Sequence, residues 1–93
     1  MFRNLGRYLE TIARAVKEVN EDAEVYLFGS VAEGRHLISS DIDVLVVTKR
    51  KPGEVLSLLW SRGIKDPFEV HVVTKDELRI YKERAKLVRI TER

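Results

Sequence analysis

The chain has 93 residues, 34% of them charged, with a net charge of +2, no Cys, and two His. That length supports one domain with a small core, and the lack of Cys excludes disulfides and thiolate metal sites. A balance this close to neutral argues against broad, charge-driven nucleic-acid binding, and no apolar run reaches the length of a membrane span.

Leu5, Leu9, Ile12, Val16 and Val19 recur at steps of three and four, which predicts an amphipathic helix from Arg3 to about Val19. Asn20-Glu21-Asp22 breaks that pattern, and Glu24 to Phe28 reads as a strand rich in β-formers. Gly29 to Glu33 is expected to turn into a short helix ended by Gly34, with Arg35 to Ser40 crossing to the next strand. Ile42, Val44, Leu45, Val46 and Val47 are apolar on both faces, as an interior strand requires.

Lys49-Arg50-Lys51-Pro52-Gly53 forms a polar, turn-prone break. Glu54 to Ser61 then predicts a helix with Val55, Leu58 and Leu59 inward and Gly63 as the C-terminal cap, and Trp60 is expected to pack in the core, with a base-stacking platform as the alternative. Phe68 to Val73 reads as a third strand, with Phe68, Val70 and Val72 on one face and Glu69, His71 and Val73 on the other. Thr74-Lys75-Asp76-Glu77 matches a capping box that opens a helix from Lys75 to Arg84 or beyond, with Leu78, Tyr81, Ala85 and Val88 as its stripe. Leu87 to Arg93 could extend that helix, add an edge strand or fray.

Chemistry concentrates between the first two strands. Asp41 and Asp43 are two residues apart in a strand, so they share a face. Two carboxylates on one face repel each other and resist burial, and a divalent cation offsets both effects. Gly29-Ser30 closes the preceding strand, where backbone N–H groups and a hydroxyl can hold a phosphate. A phosphate cradle beside an acidic pair points to nucleotide chemistry. With the three strands side by side, Glu69 can lie on the face of Asp41 and Asp43. His71 could sit beside a metal there, contact substrate, or serve as a hydrogen-bonded structural histidine. Arg35 could neutralise triphosphate charge or stand in water.

The run Leu27-Phe28-Gly29-Ser30, a ten-residue spacer and Asp41-Ile42-Asp43-Val44 resembles the signature of the polymerase-β-type nucleotidyltransferases. Small size and the run Ser40-Asp41-Ile42-Asp43 are similar in particular to the minimal nucleotidyltransferases, or MNT proteins, which act as antitoxins of helical HEPN-domain proteins. The resemblance implies an α/β fold: a small mixed, mostly antiparallel sheet with helices packed on one face and the carboxylates on the other. It implies Asp41, Asp43 and Glu69 as catalytic residues and ligands of two Mg²⁺ ions, with Gly29, Ser30, Arg35 and Ser40 holding the nucleotide. Transfer of AMP from ATP to a tyrosine of a HEPN partner is the activity it implies.

A chain this short has no room for a template-binding domain, so the acceptor is expected either to be small or to be completed by another chain. The MNT resemblance implies a HEPN-domain protein as that partner, and a second copy of the chain is not exclusive of it. Two other readings remain open: an antitoxin that neutralises by contact alone, and a nucleotidyltransferase acting on a small molecule. Met1-Phe2-Arg3-Asn4 does not open a signal peptide, so the cytoplasm is the expected location.

Overall fold

The computed structural model describes residues 5–28, 42–65, 68–84 and 86–90. The elements run α1 (Leu5–Val19), β1 (Glu24–Phe28), β2 (Ile42–Val47), α2 (Pro52–Ser61), β3 (Phe68–Val73), α3 (Lys75–Arg84) and β4 (Leu87–Arg89). The expected short helix at 29–33 and the crossing at 35–40 lie outside the described residues.

The four strands form one mixed sheet in the order β3-β2-β1-β4. β1 pairs antiparallel with both β2 and β4, while β2 and β3 are parallel. Parallel neighbours need a crossover, and α2 supplies it. β4 takes up the edge-strand alternative for the C-terminal segment, and the Ile90 N–H donates to the Val25 carbonyl at 2.8 Å just beyond it. Val88 therefore belongs to a strand and not to the stripe of the preceding helix.

One face of the sheet is sealed by α1 and α2. Leu9, Ile12 and Val16 of α1 and Val55 and Leu59 of α2 bury against Val25, Leu27, Val44 and Val46. The even positions of β2 and the odd positions of β1 supply that face, as strand alternation demands. Each fully buried side chain of this size removes enough apolar surface to contribute roughly 1.5–3 kcal/mol.

α3 departs from the expectation that all helices share a face. It follows β3 with only Thr74 between them, and its Leu78 packs with Tyr26, Leu45, Val47 and Val73 on the opposite side. The reason lies in β2: positions 45 and 47 are as apolar as 44 and 46, so half of the second face also demands cover. That face is thus divided along the strands, apolar beneath α3 and acidic at the Asp43 end.

Local signals decide where the helices stop and start. The Gly63 N–H bonds to the Trp60 carbonyl at 3.0 Å and the Ile64 N–H to the Leu59 carbonyl at 2.9 Å, a Schellman ending with Gly63 at φ +85°. At the start of α3 the Thr74 N–H donates to Glu77 Oε1 at 2.8 Å, and the Glu77 N–H donates to Thr74 Oγ1 at 3.3 Å. The capping box is formed in both directions. α2 begins two residues earlier than expected, because Pro52 serves as an N-terminal helical residue, where its missing N–H costs nothing.

Trp60 is a correction. It is 61% exposed, and the inward positions of α2 are filled by Val55 and Leu59. One residue further on the helix is a rotation of about 100°, which carries the indole off the buried stripe whatever its hydrophobicity.

Candidate functional site

β2 and β3 run parallel in a register that sets Asp43 against Glu69 and Leu45 against His71. Period two then places Asp43, Glu69 and His71 on the same side of the sheet. Among the described residues these three form a group in which one ligand atom from each lies within 4.8 Å of the others. His71 Nε2 stands 3.6 Å from Asp43 Oδ1 and 3.4 Å from Glu69 Oε1. The Asp43 side chain is 28% exposed, that of His71 33% and that of Glu69 54%, so the cluster opens to solvent on the side of Glu69.

The surroundings orient the imidazole. Phe28 pairs with Asp43 across the antiparallel β1–β2 ladder, so its ring rises on the same face. That ring meets His71 edge-on at 5.3 Å between centroids and Tyr81 of α3 at 5.6 Å. Edge-to-face pairs of this kind contribute about 0.5–1.5 kcal/mol beyond their burial. A line of Tyr81, Phe28 and His71 therefore runs from the anchored helix to the carboxylates. On the outer side, a cleft of about 420 Å³ between α2 and β3 is lined by Leu59, Trp60, Ile64, Lys65, Phe68 and Glu69 among others.

Of the residues singled out from the sequence, Asp43 and Glu69 are brought together. Asp41, Gly29, Ser30, Arg35 and Ser40 lie outside the described residues. His71, one of whose readings was purely structural, stands between the two carboxylates. Its spacing of two from Glu69 on one strand was the available signal, the same spacing that singles out Asp41 and Asp43. Phe28 entered only as part of the Leu27-Phe28-Gly29-Ser30 run, because a single aromatic at a strand end carries no signal of its own for contact with His71.

The donor set suits a divalent cation. Two carboxylates supply hard oxygens, the ligands Mg²⁺ and Mn²⁺ take, and their atoms are near enough to converge on one ion. The arrangement also offers a carboxylate within reach of solvent, able to accept a proton from an approaching hydroxyl.

A family model described as a nucleotidyltransferase domain matches residues 9–92. The chain is 31% identical over 77 residues to Poly(A) RNA polymerase protein 1 of Saccharomyces cerevisiae, a match covering 75% of this chain and 12% of that protein. The chain thus corresponds to a small part of that curated relative. Among solved structures, a candidate nucleotidyltransferase superposes with a TM-score of 0.72 at 34% identity, covering 88% of this chain and 96% of the other. A second candidate nucleotidyltransferase, from Sulfolobus solfataricus, gives a TM-score of 0.67 at 28% identity, with coverage of 97% and 82%. Cid1 in complex with its short product ApU shares the fold, with a TM-score of 0.64 at 23% identity, covering 86% of this chain and 29% of that one.

Proposed function

Because the chain belongs to the nucleotidyltransferase domain family, we propose that it transfers AMP from ATP to an acceptor hydroxyl, namely a tyrosine of a HEPN-domain partner, and so acts as an antitoxin. The observation that carries the transfer reaction is the pairing of Asp43 with Glu69 across parallel strands on one face. The choice of ATP is supported by similarity to a relative whose name is that of a poly(A) polymerase. The tyrosine and the HEPN partner rest on the resemblance of Ser40-Asp41-Ile42-Asp43 to MNT proteins. A partner chain or a second copy would complete the acceptor site.

In this reading the acceptor oxygen forms a bond to the α-phosphorus, the bond from that phosphorus to the bridging oxygen breaks, and pyrophosphate leaves. Glu69, the most exposed of the clustered side chains, accepts the proton of the attacking hydroxyl. Asp43, with Asp41 two residues before it, holds the cation side of the site, and Gly29, Ser30, Arg35 and Ser40 hold the phosphates. A bound divalent cation, Mg²⁺ in the first instance and two ions in the resemblance, would supply charge neutralisation for the triphosphate.

The poly(A) polymerase relative favours one second reading, in which the acceptor is the 3′-hydroxyl of an RNA. Incubation with α-phosphate-labelled ATP and Mg²⁺, offered both a HEPN protein and an oligoadenylate, separates the two. Label on a tyrosine of the protein is the expected result, and a ladder on the RNA would replace the acceptor. No transfer to either, with the partner nevertheless neutralised, would leave an antitoxin that works by contact.

A further inference from the structure

His71 occupies a position that two metal-binding carboxylates alone do not require. By register it lies one pleat further along β3 than Glu69, level with Leu45. Its ring nevertheless reaches back, so that Nε2 is within 3.6 Å of Asp43 Oδ1 and 3.4 Å of Glu69 Oε1. Both separations exceed the 2.7–3.2 Å usual for an N–H···O hydrogen bond. One nitrogen also has only one proton to give, and here it faces two acceptors. A cation bonded at about 2.1 Å holds adjacent ligands about 3 Å apart. The three donor atoms already lie mutually within 4.8 Å, and two of the three separations are 3.4 and 3.6 Å. Phe28 against the ring, itself against Tyr81, holds the imidazole beside the carboxylates.

We propose that His71 is a nitrogen ligand of the Asp43–Glu69 cation site and makes that site select Mn²⁺ over Mg²⁺. The inference rests on the reading of Asp43 and Glu69 as a cation site. Mg²⁺ binds through hard oxygens and sheds water reluctantly, so an imidazole adds little to its affinity. First-row transition metals accept imidazole, and Mn²⁺ among them keeps the preference for carboxylate oxygens that two of the three donors satisfy. The nitrogen therefore discriminates between two ions that a purely carboxylate site would hold more nearly alike.

The test needs no turnover. The full chain, without nucleotide, is titrated calorimetrically with MnCl₂ and with MgCl₂, and the Mn²⁺-loaded protein is examined by pulsed electron paramagnetic resonance for modulation from a directly bound imidazole nitrogen. Wild type should bind Mn²⁺ at least about tenfold more tightly than Mg²⁺ and show the modulation. His71→Gln should lose the modulation and most of the preference, with Mg²⁺ affinity little changed, whereas Asp43→Asn should weaken both ions. His36→Gln, at the sequence's other histidine, should keep the modulation and the preference, and its losing either would overturn the assignment to His71. Circular dichroism verifies that each variant is folded, and His71→Asn stands in if His71→Gln is not. Absence of nitrogen modulation in wild type, its survival in the His71 variants, or equal affinity for the two ions overturns the proposal. Mg²⁺-supported transfer without nitrogen coordination would remove this inference and leave the proposed activity. Nitrogen coordination with no transfer to any acceptor would do the reverse.

Discussion

Asp43 is less than a third exposed, flanked by buried Ile42 and Val44, and faced by the ring of Phe28 across the ladder. A carboxylate so placed is incompletely hydrated, and a positive charge nearby favours it. Asp43→Asn should leave the melting temperature unchanged or slightly raised, and lower nucleotide transfer by at least about 100-fold, in the range expected when an essential polar group of a catalytic site is lost. Glu69→Gln should slow transfer by about 10²–10⁴-fold, because the amide cannot take the hydroxyl proton. Wild-type rates in both variants would remove the carboxylate pair from the chemistry.

Tyr26 illustrates a different residue-scale effect. Its hydroxyl donates to Glu24 Oε1 at 2.6 Å, and burial of the ring, then the neighbouring carboxylate, push the phenol above its ordinary 10.0. A proton held more tightly in the folded state stabilises the fold fully below the unfolded pKa, near 10, and the benefit is lost as pH rises through the folded value. Urea denaturation of wild type and Tyr26→Phe at neutral pH and above pH ~10 checks this. The wild type should lose stability relative to the variant only in the alkaline range, and a constant difference would contradict the assignment.

At the scale of elements, the two helix boundaries that matter most are set by single residues. Gly63 has φ +85°, and a Cβ there would meet nothing within 4 Å. The cost of Gly63→Ala is therefore purely that of forcing an L-residue into the left-handed region, about 1–2 kcal/mol. A shift of the urea midpoint with an unchanged slope should report it. The capping box at Thr74 aims α3 back over the sheet immediately after β3, and this sharp reversal is what brings Tyr81 to Phe28. The α1–α2 pair is further bridged by Arg62, whose two terminal nitrogens donate to Glu18 at 3.2 and 2.6 Å. Arg62 holds the Glu18 carboxyl below the usual range, although a pair this exposed adds little to stability.

Across the whole molecule, the two faces of the sheet differ in how securely they are closed. The α1–α2 side carries most of the fully buried aliphatics, including Ile12, Val16, Val25, Val44 and Leu59. The α3 side depends on Leu78, the one buried side chain among the described residues of that helix, with Tyr81 only partly covered. Leu78→Ala should cost about 2–3 kcal/mol, toward the low end for a leucine because the site lies at the rim of the core. Amide exchange in α3 should accelerate more than in α1, since local opening then needs little of the global unfolding free energy. Uniform acceleration in both helices would mean that α3 is not separately anchored. No helix among the described residues is long and apolar enough to cross a membrane.

Much of this arrangement was legible in the chain itself. A period-3.6 stripe located α1, a run of β-formers β1, a stretch apolar on both faces β2 and period-2 parity β3, and local chemistry at Gly63 and at Thr74 to Glu77 marked helix ends that depend only on neighbouring residues. Parity alone put Glu69 and His71 on one face of their strand. Which face that strand would turn toward Asp43, and in what register, required β2 and β3 to lie parallel, a long-range pairing that no local pattern encodes. The same holds for α3, whose stripe looked alike for either side of the sheet until Leu45 and Val47 offered it an apolar floor. Trp60 failed for the opposite reason: hydrophobicity argued for burial, and the helical phase fixed by Val55 and Leu59 overrode it. The approach of His71 Nε2 to both carboxylates is likewise a tertiary fact, created by a parallel register and by the ring of Phe28 arriving from a third strand.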